Sequence, residues 1–252
     1  AYEITYGDWS SDVCSSDLIP VAPADAAAQL QLWSKPTSYD LFRGTFTILP
    51  STTDLDVVDS LPLEQYLRGV VPAEMSSSWA TQALASQAIA ARSYAAYRLR
   101  GTGSFDIYDD TRSQVYLGVR RETAATDAVI AATANQVLTY NGSIVNALFH
   151  SSDGGWTENN ENVFVSASGS IVAGALPYLR GSSGRDANNV SYDAASPRAT
   201  WQTRGYTPNE LSAIFGQDSR TAVGTLTGLD LSNKGVSGRL ISVTLVGSAG
   251  SK

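Results

Sequence analysis

The sequence predicts an α+β fold in which alanine-rich central helices pack with β-hairpins, and three observations predict it. Residues from about Trp79 to Arg98 are dominated by alanine and other strong helix formers. Residues 41–48 alternate, with Leu41, Arg43, Thr45 and Thr47 set against Phe42, Phe46 and Ile48. After Pro50-Ser51-Thr52-Thr53 the chain returns through Leu55-Asp56-Val57-Val58. Asn141-Gly142 separates two strand-like runs, 136–140 and 143–149, and is the strongest hairpin cue in the chain.

Composition sets the outer limits. A length of 252 residues suits one large domain or two small ones, and 43% hydrophobic content is ample for a core. A net charge of −7 and a pI near 4.7, with no basic run, argue against a nucleic-acid groove or an anionic membrane surface. No apolar stretch approaches the roughly 20 residues that cross a bilayer, so no transmembrane segment is expected. The start lacks a basic-then-apolar signal pattern, so the chain is expected to be mature or to lack its true N-terminus. The single cysteine, Cys14, excludes internal disulfides and a thiolate metal cage.

Residues 7–18, GDWSSDVCSSDL, are polar and unlike the rest of the chain, and SSDVCSSDL resembles a translated sequencing adaptor. Segment 1–38 is therefore expected to be non-native or disordered, with 19–38 (Pro20, Pro23, Pro36) a linker holding one short helix. From residue 39 the 41–58 hairpin leads to Pro62 and Glu64, a helix start, because proline lacks an N–H that the first turn leaves unpaired and an acid suits the positive helix end. Pro72 disfavours α geometry before it, so this helix should stop near Val71 and leave Ala73, Glu74 and Met75 as a break. Ser76, Ser77 and Ser78 would cap the long second helix. In that helix Gln87, Ala91 and Tyr94 share a face, with Arg98 a further turn along, while Leu84, Ala88, Ala95 and Leu99 line an adjoining one. The helix is expected to be buried on several sides, which requires Arg92 to be paired or to line a wet cleft. Residues 105–118 read as irregular with a short β-like 114–117, residues 122–135 as a third helix, and the Asn-Gly hairpin comes next. From 160 the chain is rich in Asn, Ser and Gly, with a Trp201-containing strand, a helix from about Pro208 to Phe215 and a last strand from Leu240 to Val246.

Two stretches carry candidate chemistry. Glu74 sits between two helices with nothing basic within five residues. It reads either as a solvated loop glutamate or as an acid kept protonated by apolar neighbours and able to donate to a leaving oxygen. The second stretch, His150-Ser151-Ser152-Asp153-Gly154-Gly155-Trp156-Thr157-Glu158, ends a strand, where polar groups can line a cleft and paired glycines permit a tight turn beneath a ligand. His150, the only histidine, reads as a hydrogen-bonded structural group or a ligand contact. A protease pair with Ser151 fails, because adjacent strand residues point to opposite faces. Asp106, Asp109 and Asp110 do not match a calcium loop's spacing.

LPLEQYLRGVVPAEM (61–75), SQAIAARSYAAYRL (86–99), SQVYLG (113–118) and HSSDGGWTEN (150–159), with PYLRG (177–181) in weaker support, resemble the stage II sporulation protein D/LytB family of bacterial cell-wall proteins. The resemblance covers about Phe42 to the C-terminus and implies one domain over 39–252 that ends short of the family's usual length. It implies a glycan-binding cleft between the helical part and the strand and loop part. It also implies a lytic transglycosylase, extracytoplasmic in the envelope or secreted, acting on peptidoglycan glycan strands. Glu74 would be its single acid/base and the product a 1,6-anhydro-MurNAc end. Gln87, Arg92, Tyr94, Gln114, Tyr116, His150, Ser151, Ser152 and Glu158 would line or support the cleft. The alternative is a non-catalytic glycan-binding module that enhances a cell-wall amidase, which would then be a partner. Some members of the family carry a zinc-binding Cys-x-x-x-His-Cys run. Here Tyr108, Arg112 and Ser113 stand at those positions, so neither metal nor other cofactor is expected.

Overall fold

Strand pairing starts earlier in the chain than the alternation at 41–48 predicts. In this computed structural model, which describes residues 2–4, 19–23, 25, 28–50, 54–99, 103–166, 168–197, 199 and 203–252, the first strands are β1 (Tyr2–Ile4), β2 (Ile19–Val21) and β3 (Leu30–Leu32). They are followed by β4 (Leu41–Phe42), β5 (Thr45–Pro50) and β6 (Leu55–Ser60). The expected hairpin is β5 with β6, antiparallel from Thr45↔Ser60 to Pro50↔Leu55, and β2 pairs along the other edge of β5. A second sheet has the order β1-β3-β4. Residues 30–32, read as linker, are instead a strand whose Leu30 and Leu32 enter the core, because their apolar side chains alternate with Gln31 on one sheet face. Cys14 and the Trp201 strand lie outside the described residues.

The chain forms two compact units, Ala1–Phe149 and His150–Lys252. The first holds α1 (Leu63–Glu74), α2 (Thr81–Arg98), a 3₁₀ turn Val119–Arg121, α3 (Ala124–Ala132) and the two-stranded β7 (Thr139–Tyr140) and β8 (Ser143–Ile144). Its core joins Leu30, Phe42 and Phe46 of the sheets to Leu67, Val70 and Val71 of α1, Ala88, Ala91 and Ala95 of α2, and Ile130 of α3. Thr123 caps α3, accepting from the Thr126 N–H. Asn141 and Gly142 both take positive φ, as a primed turn requires. The second unit holds α4 (Asn160–Val163), α5 (Pro208–Phe215) and the sheet of β9 (Leu226–Asp230), β10 (Thr244–Gly247) and β11 (Gly250–Ser251), in the order β11-β10-β9. Thr207 and Glu210 form a reciprocal capping box on α5. The fold class is α+β, with several small and mostly antiparallel sheets.

Three local expectations are corrected. α1 runs through Pro72 to Glu74 and closes with the Met75 N–H on the Val71 carbonyl, so Glu74 ends a helix and does not sit in a break. A proline so near the C-terminus removes only its own bond to the Arg68 carbonyl, and the Gly69 carbonyl accepts the Leu117 N–H from outside the helix. The serines do not cap α2, which starts at Thr81 after Ala80. The Ser76 and Ser78 hydroxyls bond each other, 2.9 Å apart.

α2 is buried on several sides, as its alanines require, and its one charge there is Arg92, 1% exposed. The guanidinium donates to both Glu64 oxygens at 2.7 and 2.8 Å and to the Ile130 and Gln136 carbonyls at 3.2 Å, so its donors are satisfied across α1, α3 and the loop after α3. Asp59, opposite Phe46 in the hairpin, has both carboxyl oxygens buried without a hydrogen-bond partner among the described residues. Burial pushes its carboxyl up to about 7, with the Tyr116 hydroxyl opposing the rise.

Removing the Arg92 counter-charge with Glu64→Ala is expected to lower unfolding free energy by about 2–3 kcal/mol in a urea titration, since Glu64 is itself partly in water. For Asp59 the folded carboxyl titrates above its ordinary 3.8. The unfolded chain therefore loses its proton first, and stability falls as pH rises from about 4 to about 7. Asp59→Asn removes that loss. Thermal melts at pH 5 and pH 8 should show a flatter profile and a higher Tm than the parent at pH 8. An unchanged slope would mean that Asp59 is ionised in the fold.

Candidate functional site

The first candidate surface is built by a glycine. Gly69 lies in mid-helix, where alanine would be favoured by about 1 kcal/mol, yet a Cβ there would collide with the Tyr116 ring and stand 3.0 Å from the Gly118 nitrogen. Its absence lets residues 114–118 lie flat against α1. The Tyr116 ring then packs on Tyr66 at 5.2 Å and on Phe42 at 5.9 Å between centroids. Gln114, 1% exposed, accepts from the Tyr66 hydroxyl at 3.3 Å and donates to the Ala91 carbonyl at 3.4 Å. The next residue brings its N–H to Glu74: Val115 N donates to Glu74 Oε1 at 3.2 Å.

Glu74 is exposed, so the apolar shielding expected around it is absent. Val70 and Val71 are wholly buried, and their side chains are spent on the core. Burial pushes the Tyr66 hydroxyl above its ordinary range, and the neighbouring Tyr94, Glu74 and Asp109 add to the effect. Tyr94 is buried with the Arg98 guanidinium 4.9 Å from its ring centroid. Gln87, one turn before Ala91, is 8% exposed and its Nε2 has no partner among the described residues, an unused donor on the face of α2 that anchors Gln114. Arg92 and Gln114 have their polar groups on protein partners, and Tyr116 is held by packing. Of the first unit's expected cleft residues, Glu74 presents an exposed side chain and Gln87 a spare donor.

The zinc positions do not fit a metal. Arg112 stacks over the Tyr108 ring at 3.7 Å and pairs with Asp110 at 2.7 Å, while Ser113 Oγ accepts the Tyr108 N–H. Arg112 holds the Asp110 carboxyl low, at about 2, and Lys35 pairs with Asp109 at 2.7 Å. Neither thiolate nor imidazole stands among these groups.

In the second unit His150 and Ser151 are exposed. Ser152 is turned inward and donates to Asp193, which also accepts the Gly154 N–H at 2.8 Å and the Ser191 hydroxyl. These donors hold its carboxyl at about 2. Glu158 is committed within the fold. It accepts from the Asn159 N–H at 2.9 Å, Asn162 Nδ2 at 3.0 Å, the Val236 and Ser237 N–H groups at 3.2 and 3.1 Å, and Ser237 Oγ at 2.5 Å. Burial alone would raise its carboxyl, but these donors hold it down at about 2. Its carboxylate ties residues 158–162 to the loop 236–237 and leaves a glycan little to bond. Sequence patterning does not single out Tyr66, Trp156 or Arg239. Gly69 inside a strong helix pattern is the available signal for a close approach.

The stage II sporulation protein family matches residues 51–140, the stretch that holds Glu74, Gln87, Arg92, Tyr94, Gln114 and Tyr116. Stage II sporulation protein D of Bacillus subtilis is 30% identical over 230 residues, covering 83% of this chain and 60% of that protein. The amidase enhancer of the same organism is 38% identical over 113 residues, 45% of this chain and 14% of that protein. An uncharacterized protein of Brachyspira hyodysenteriae is 33% identical over 143 residues, 56% of this chain and 37% of that protein. The chain thus spans less than two thirds of the length of these relatives. The matched stretch forms the α1, α2 and 114–118 framework around Glu74, and it is over this framework that the chain is similar to the stage II sporulation protein family.

Proposed function

We propose that this chain acts on the bacterial cell wall as a lytic transglycosylase of peptidoglycan glycan strands, in the cell envelope or secreted from the cell. The observation that carries the reading is Glu74: an exposed carboxyl on the last turn of a rigid helix, oriented by the Val115 N–H, inside the matched segment. Two-carboxylate glycosidases need a nucleophile or base beside the acid. Here one group serves twice. Protonated Glu74 gives its proton to the oxygen linking MurNAc to GlcNAc, and that bond breaks. The MurNAc C6 hydroxyl then attacks C1, and the carboxylate takes the hydroxyl proton, which leaves a 1,6-anhydro-MurNAc end and regenerates the acid. The protein itself leaves Glu74 open to solvent, so the sugar rings that cover it displace the water at the carboxyl.

The exposed His150 and Ser151 are the groups available for sugar hydroxyl and N-acetyl contacts, while Gln87, whose amide donor is buried, supports the helix face behind Gln114. Gln114, Tyr116 and Tyr94 hold the surface that carries Glu74, and Arg92 and Glu158 hold their units together. Similarity to an amidase enhancer supports a second reading, a non-catalytic glycan-binding module with a cell-wall amidase as partner.

Glycan strands freed of stem peptides and digested with the protein should yield anhydro-MurNAc ends by mass spectrometry, and Glu74→Gln should cut the yield about 100-fold or more without altering the far-UV spectrum. Intact binding with no such ends selects the module, and full yield from the Gln variant removes Glu74 from the mechanism. Since Arg112, Asp110, Tyr108 and Ser113 hold one another, a strong chelator should leave the yield unchanged. Loss reversed by added zinc would refute that.

A further inference from the structure

Two arginines close on the glycine pair of the second unit without a carboxylate to neutralise them. Gly154 and Gly155 take φ of +63° and +89°, and the places where their Cβ atoms would stand lie 2.9 Å from Arg239 Nη2 and 3.1 Å from Arg185 Nη2. Arg239 donates to the Trp156 carbonyl at 2.6 Å and to the Asp153 carbonyl, and Arg185 to the Asn189 carbonyl at 2.9 Å. These are neutral acceptors, and among the described residues neither guanidinium reaches a carboxylate within 4 Å.

The acids nearby are occupied elsewhere. Asp193 serves Ser152, Ser191 and the Gly154 N–H. Asp153 accepts the Gly155 N–H at 2.6 Å and lies over the Gly184 backbone. Asp186 accepts the Asn188 and Val190 N–H groups, and Glu158 is filled by five donors. The two guanidinium groups are fixed by carbonyls and, among the described residues, no carboxylate within 4 Å takes up their remaining donors, while Asp153, which shares the pocket lining, has its Oδ1 on the Gly155 N–H. Arg239 lines a pocket of about 510 Å³ with Trp156, Ser152, Asp153, Ser237 and the backbone of Gly154 and Gly238. Trp156 is 39% exposed there, held by its bridge to Ser183.

We propose that this pocket binds a pyranose carrying a carboxylate, with the sugar's apolar face on the Trp156 indole and its carboxylate paired to Arg239, Arg185 adding to the field. The assignment rests on the reading of a glycan ligand. It names, of the two alternating sugars of such a strand, the one with the lactyl ether acid.

Single sugars separate this from cleavage, because they have no linkage to break. Calorimetric titration of the intact chain with N-acetylmuramic acid, its carboxyl methyl ester and N-acetylglucosamine should show the free acid binding about tenfold more tightly than the other two. Arg239→Gln should erase that preference, and Trp156→Leu should weaken acid and ester alike. Since Arg239 also braces two carbonyls, Arg185→Gln serves as the gentler variant, and it should reduce the preference without abolishing binding. Equal affinity for acid and ester overturns the site. So does a preference that survives Arg239→Gln, or inorganic phosphate displacing the acid at equal concentration. A preference without anhydro ends leaves this site standing and removes the transglycosylase, while anhydro ends without a preference do the reverse.

Discussion

The buried guanidinium of Arg92 is the contact on which the helical layer depends. A helix made largely of alanine gains little from side-chain burial, so its place is fixed by close approach and by the few polar groups it carries. Arg92 reaches Glu64 of α1 and the carbonyl of Ile130 in α3, and so connects three helices through one planar group. Its desolvation is tolerable only because its donors end on protein acceptors. The same pairing places acidic Glu64 at the first turn of α1, where the helix dipole also favours it.

A second constraint acts by absence. Gly69 weakens α1 as a helix and in exchange admits the 114–118 segment, whose Gln114 and Tyr116 build a buried polar and aromatic layer under the surface that carries Glu74. The carboxyl is oriented by a backbone N–H, a donor that side-chain substitution at 115 leaves in place. Rigidity at Glu74 therefore comes from a helix end on one side and an extended segment on the other, and its carboxyl remains in contact with solvent.

The second unit handles charge differently. Around Gly154-Gly155, Asp193 and Glu158 are satisfied by N–H and hydroxyl donors while Arg185 and Arg239 brace main-chain carbonyls, whereas Arg180 and Arg220 pair with Glu161 and Asp218. That division holds Gly154-Gly155 in left-handed geometry and turns Ser152 inward, leaving His150 and Ser151 as polar side chains in solvent.

Local patterning was enough to read the β5–β6 hairpin, the three central helices, the Asn141-Gly142 turn and the Pro208–Phe215 helix, because each is set by residues a few positions apart. Glu74 was legible as the odd acid in an apolar run, and the family through the motifs around it. What tertiary structure alone decided depends on partners far along the chain. Leu30 became core because a sheet covered it. Arg92 became structural because Glu64, 28 residues away, met it. Glu158 was taken out of any cleft by Ser237, 79 residues on. Glu74 stayed in solvent although its sequence neighbours are apolar, since Val70 and Val71 face the core while Trp79 is itself exposed. Periodicity shows which side chains share a face, but the occupancy of a donor or acceptor is settled by whatever the fold brings opposite it.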